Sequence, residues 1–147
     1  MPEQRADELR LPRMVAENTG LHDTAFTVSV DLIEGCATGI SARERSRTIR
    51  ALADPITAPE HLGRPATSSR YGRSRRVLER DGHTEAAVDL SLLAGLSGVT
   101  ALCEIVGPDW NTACYGHLSQ LAARRLMPLI SVRDLAAYRL AKQAHES

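Results

Sequence analysis

The run Arg80-Asp81-Gly82-His83-Thr84-Glu85 puts an arginine, a glycine, an imidazole and a hydroxyl where an apolar helical pattern begins. The first turn of a helix leaves backbone N–H groups unpaired and carries partial positive charge, which suits a phosphate or carboxylate. Gly82 would let backbone approach such a ligand closely, the Thr84 hydroxyl would add a hydrogen bond, and Arg80 would grip two oxygens. His83 beside a bound anion would coordinate a metal or move a proton. The same residues also read as a plain helix start, with Thr84 or Asp81 as N-cap, Glu85 favouring the dipole and His83 exposed. Gly-His-Thr is too short and common to decide between the two.

Glu104 is the second candidate. It sits in Ala-Leu-Cys-Glu-Ile, an otherwise apolar strand pattern, where a carboxylate must be paired, protonated or aimed into a cleft. A structural ion pair with an arginine is the competing reading. His22, His61, His117 and His145 show no ligand spacing with one another, and no Ser-His-Asp, Walker or Rossmann pattern is present. Cys36, Cys103 and Cys114 cannot all pair and none lies in a Cys-x-x-Cys spacing, so they read as reduced thiols of a cytoplasmic protein. At least two of them read as small apolar fillers.

The elements that must hold these residues are interspersed helices and strands, which makes the fold class α+β or α/β. Residues 24–31 alternate, with Phe26, Val28 and Val30 on one side and Thr27 and Ser29 on the other, as in a half-buried strand. Ser41-x-x-Glu44 is a capping box for a helix that Asp54-Pro55 stops, and Thr57-x-x-Glu60 begins a short helix ended near Gly63. Residues 84–94 read as a helix capped by Gly95, and 99–105 as a buried strand. Residues 115–126 form an amphipathic helix on Leu118, Leu121, Ala122 and Leu126. Residues 128–132 predict a short strand, and Ser131-x-x-Asp134 caps a last helix. Residues 64–80, with six arginines and little apolar periodicity, are expected to be a mobile loop.

Composition bounds the rest. The chain has 147 residues, 18 Lys+Arg against 18 Asp+Glu, and 43% hydrophobic residues, the balance of one globular domain over 1–147. Zero net charge and five aromatic residues argue against a nucleic-acid or anionic-membrane partner. The uncharged stretch 90–103 has 14 residues and two glycines, too short to span a bilayer, and no apolar signal region follows Met1.

The same residues carry a family likeness. Leu11-Pro12-Arg13-Met14-Val15, Phe26-Thr27-Val28-Ser29-Val30-Asp31, Thr38-Gly39-Ile40-Ser41-Ala42 and Thr48-Ile49-Arg50-Ala51-Leu52-Ala53-Asp54 stand in order. Glu79-Arg80-Asp81-Gly82-His83-Thr84-Glu85-Ala86, Cys103-Glu104-Ile105 and Pro128-Leu129-Ile130-Ser131 follow. Together these blocks resemble 3,4-dihydroxy-2-butanone 4-phosphate synthase, which in riboflavin biosynthesis turns ribulose 5-phosphate into a four-carbon phosphate plus formate. The resemblance implies an α+β fold working as a homodimer. It implies that Arg80, Gly82 and Thr84 bind the substrate phosphate, with Thr38 near the sugar hydroxyls. It also implies His83 as a ligand of a divalent metal, Mg2+, and Glu104 with His83 as the catalytic pair.

Three blocks differ from that family's pattern. Its N-terminal strands and acidic loop, Arg-Glu-Asn-Glu-Gly-Asp, would precede Met1. Its Arg-Pro-Gly-His reads Arg64-Pro65-Ala66-Thr67, and its Asn-Asp-Asp-Gly reads Gly107-Pro108-Asp109-Trp110. These differences lead to the expectation of a diverged synthase-like enzyme acting on another small anionic, enolisable substrate. The synthase reaction itself, with a partner chain supplying the rest, and a non-catalytic phosphate-metabolite binder or scaffold are the alternatives. Missing strands would leave an edge and apolar surface to cover, so a dimer or larger assembly is expected.

Overall fold

A computed structural model describes residues 1–22, 24–66, 72 and 76–146. The described residues form helices and a small sheet, an α+β arrangement, in two compact units, Met1–Ala101 and Leu102–Ser147.

The first unit is organised around the extended segment that the alternation at 24–31 predicts. Its neighbours change along its length: Arg13 bridges Thr27, Gly72 bridges Phe26, and Ala66 N donates to Ser29 O at 3.1 Å. Only at its end do two short strands pair, β1 (Asp31–Leu32) and β2 (Leu62–Gly63), antiparallel with Asp31 opposite Gly63. Chain on both edges alters the expected face pattern. Thr27 and Val30 are fully buried while Phe26 is 38% exposed, so the segment is covered on both sides rather than half-buried.

Helix α1 (Glu3–Glu8) and helix α2 (Ala42–Ala53) pack against this segment, and Ala6, Leu9, Leu11, Val30, Leu52 and Leu62 form the core. Burying each of these leucines fully contributes about 1.5–3 kcal/mol. Two polar links set the register. Thr48 Oγ1 accepts from Leu32 N at 3.1 Å, and Arg5 donates to Leu52 O and Asp54 O at 2.9 and 2.6 Å, closing the C-terminal carbonyls of α2. The expected helix from Thr57 is one 3-10 turn, Pro59–His61, because Pro59 takes the first helical position and β2 begins at Leu62.

Helix α3 (His83–Leu93) ends as expected near Gly95, whose φ is +73°. Gly95 N donates to Leu92 O and Leu96 N to Ser91 O, a paired C-terminal closure that favours glycine. The Arg-rich stretch is anchored at both ends. Arg64 Nη2 donates to Leu9 O at 2.7 Å, and residues 76–80 form a turn with Arg80 N bonded to Arg76 O. The middle of the expected mobile loop, residues 67–71 and 73–75, lies outside the described residues.

The second unit holds helices α4 (Tyr115–Arg125) and α5 (Val132–Glu146). Ser131 and Asp134 cap α5 reciprocally, Ser131 Oγ donating at 2.7 Å and Asp134 N at 3.1 Å. Two expected strands do not form. Residues 101–105 and 128–131 make no ladder among the described residues and are exposed; Ile105 O accepts from Ala113 N at 2.9 Å without a paired strand forming there. Leu126 is not on the apolar face of α4: it takes the left-handed conformation that ends the helix (φ 52°) and is 94% exposed.

Candidate active site

Arg80, Gly82, His83 and Thr84 come together on one turn at the start of α3. Gly82, rather than Thr84 or Asp81, occupies the N-cap position, and no side chain caps the helix there. His83 is exposed on the first helical residue, and Thr84 is half-buried, with its Cγ2 3.9 Å from where a Cβ on Gly72 would stand.

The turn is fixed from inside by two acids of α3, Asp89, which sequence reading left unassigned, and Glu85, which it read only as favouring the helix dipole. Asp89 is fully buried. Its Oδ1 accepts from Arg76 Nη1 at 2.9 Å and its Oδ2 from Val77 N at 2.7 Å. Glu85, 3% exposed, accepts from Arg80 Nη1 with both carboxylate oxygens, at 3.0 and 2.9 Å, and Arg80 Nη2 donates to His22 O at 2.5 Å. The buried Glu85 carboxylate therefore ties the guanidinium to the start of the helix, and the exposed His22 carbonyl holds its other terminal nitrogen.

Gly82 works differently from the expectation. Its φ of −148° is ordinary extended backbone, so conformational freedom is not the reason for a glycine. The space a Cβ would fill is taken by the Glu85 carboxylate, with Arg80 Nη1 3.2 Å away. Close approach is real here, but it is approach of the protein's own ion pair.

Thr38 lies in the same unit, exposed on the loop before α2. Its backbone N donates to Glu44 Oε1 at 3.3 Å, beside Ala37 N at 2.7 Å, and its Oγ1 accepts from Ile40 N at 3.4 Å. The capping box expected at Ser41 is present, and Glu44 serves it as well as the Thr38 loop. These bonds, that from Ala37 N foremost and then Ser41, hold the Glu44 carboxyl at about 2, below its ordinary 4.5. A depressed carboxylate pKa gives stability that is complete above 4.5 and disappears as pH falls toward 2. Thermal melts across that window are expected to show a steep acid limb in the wild-type chain and a flatter one in Glu44→Gln. Parallel limbs would refute the linkage.

Glu104 belongs to the second unit and is exposed, with Leu102 and Ile105 beside it 51% and 44% exposed. The buried-strand argument that singled it out therefore does not hold. The cysteines are free. Cys103 and Cys114 are exposed rather than apolar filling, while partial burial and then Glu44 and Asp31 push the Cys36 thiol up, making it a poor nucleophile.

Among the described residues no three His, Cys, Asp or Glu side chains gather to hold a metal ion. His83 would give one nitrogen, whereas magnesium takes near-octahedral oxygen ligands. The described residues do not by themselves make a magnesium site. No described helix is long and apolar enough to cross a membrane.

Comparison with known proteins gives one consistent result. A family model described as 3,4-dihydroxy-2-butanone 4-phosphate synthase matches residues 1–138. The riboflavin biosynthesis protein RibBA of Cytophaga hutchinsonii is 51% identical over 147 residues, covering 99% of this chain and 36% of that protein. A 3,4-dihydroxy-2-butanone 4-phosphate synthase of Nitratidesulfovibrio vulgaris is 45% identical over 140 residues, covering 95% of this chain and 65% of that protein. The chain thus spans about a third of the one relative and just under two thirds of the other. Among solved structures, the synthase of Candida albicans superposes with TM-score 0.84 at 36% identity, covering 94% of this chain and 68% of that one. A synthase in complex with two magnesium ions gives 0.87 at 30% identity, covering 97% of this chain and 72% of that one. Relatives this similar carry the synthase and RibBA names, which favours the synthase reading over the expected diverged enzyme.

Proposed function

The chain belongs to the 3,4-dihydroxy-2-butanone 4-phosphate synthase family, and from that premise we propose that it serves the synthase reaction of riboflavin biosynthesis, ribulose 5-phosphate going to the four-carbon phosphate and formate. What supports this reading most is the high identity to a named synthase across nearly all of the chain. In it Arg80 and Thr84 hold the substrate phosphate at the start of α3, and Thr38 meets a sugar hydroxyl. The reaction begins by taking a proton from carbon next to a carbonyl, work suited to a carboxylate, and Glu104 is given that role; His83 is the other proposed catalytic residue, as an imidazole able to move a proton. His83 is also the residue offered to a metal ion. The described residues do not assemble the ligands of a magnesium ion around it. A second copy of the chain is the proposed partner: Leu21, Ile56 and Trp110 are each more than four-fifths exposed, apolar area that association would cover.

Formate release from ribulose 5-phosphate with Mg2+ tests the reading. It is to be measured on the 147-residue chain and on that chain joined to the part of a relative's synthase domain outside the matched span. Release by either one, abolished by Glu104→Gln, is the expected result. Formate from neither, with substrate still bound, would return the case to an enzyme of other specificity.

A further inference from the structure

Glu85 has no role in the reaction proposed above, yet it is the group that decides where Arg80 points. The side chain is 4% exposed and both its oxygens take Arg80 Nη1, while His22 O takes Nη2. A guanidinium carries five N–H donors in a planar fork. With Nη1 held by the carboxylate and Nη2 by the carbonyl, Nε and the second hydrogen of Nη2 are left for an external oxygen. The side chain of Arg80 is itself 39% exposed, so those donors have access to solvent and solute.

We propose that Glu85 is the positioning residue of the Arg80 anion clamp, and that Gly82 is glycine to leave room for the pair. The inference rests on the reading of Arg80 as a phosphate ligand. Its physical basis is preorganisation: an arginine already fixed in one orientation loses little freedom when an anion arrives. The Gly82 observation stands apart from the charges. An alanine there keeps an allowed backbone, adds no charge, and places its Cβ where the Glu85 carboxylate lies.

Inorganic phosphate titrated into the full chain, followed calorimetrically, tests this with a double-mutant cycle. Glu85→Gln and Gly82→Ala are each expected to raise the phosphate Kd about tenfold. In an Arg80→Ala background, Glu85→Gln is expected to change Kd by less than about twofold, because nothing remains to be positioned. If Glu85 had only a structural part, Glu85→Gln would lower the melting temperature of the otherwise wild-type chain and leave phosphate binding alone. Binding by Glu85→Gln and Gly82→Ala that equals or exceeds wild type overturns the proposal, since the carboxylate would then be idle or competing with the anion. Should Glu85→Gln fail to fold, Gly82→Ala decides it. A wild-type chain that binds no phosphate overturns the anion reading and this inference with it, an outcome told apart by the flat wild-type titration.

Discussion

Asp89→Ala is expected to unfold about 10 °C below the wild-type chain, a loss of roughly 3–4 kcal/mol. The size follows from what the side chain holds. Arg76 is 44% exposed, so losing its partner lets it rehydrate, and that half of the bond is the smaller contribution. Val77 is 3% exposed, and its N–H would lose a charged acceptor at 2.7 Å in a place shielded from bulk solvent. A hydrogen bond to a charged group contributes about 1.5–3 kcal/mol, and leaving a buried donor unsatisfied costs its desolvation. Asp89→Asn keeps one carbonyl acceptor for Val77 and is expected to lose about half as much. Melting of Asp89→Ala within about 2 °C of wild type would show that the 76–80 turn does not depend on this carboxylate.

Asp89 also shows where the sequence is legible and where it stops being so. The criterion that picked out Glu104, a lone acid in an apolar run, fits Ala86-Ala87-Val88-Asp89-Leu90 equally well, and there it finds a fully buried carboxylate. Glu104, picked by the same rule, is exposed, because the rule presumes a strand that its neighbours here do not pair. Several signals carried within a few residues survive: the boxes at Ser41 and Ser131 and the Gly95 closure are where spacing puts them, while the Thr57 box yields to a single 3-10 turn at Pro59. Other failures depend on partners far along the chain. Thr27 is buried because Arg13 and residues 62–66 flank its segment from both edges, and no local alternation encodes that. Gly82 is the mixed case. Its importance is readable from its place before His83, but its reason is set by side chains on either side of it, Arg80 and Glu85, whose pairing only the folded turn reveals.

Arg80→Ala is expected to lower kcat/KM for formate release about a hundredfold, equivalent to roughly 2.7 kcal/mol, the range for a lost arginine–phosphate contact. One complication is structural. The variant also takes from Glu85, 4% exposed, the guanidinium that meets both its oxygens, leaving the Met1 ammonium as a cation acting on it, so stability falls along with activity. The two effects separate in Arg80→Ala/Glu85→Gln, where removing the buried charge should restore much of the melting temperature and none of the activity. Arg80→Lys supplies the remaining distinction. An ammonium is one point of charge on a flexible stem and cannot serve Glu85, the His22 carbonyl and an anion from fixed directions at once, so it should regain less than about a tenth of the wild-type rate. If the double variant recovers activity together with stability, Arg80 matters only as the counter-ion of Glu85, and the substrate phosphate is held elsewhere.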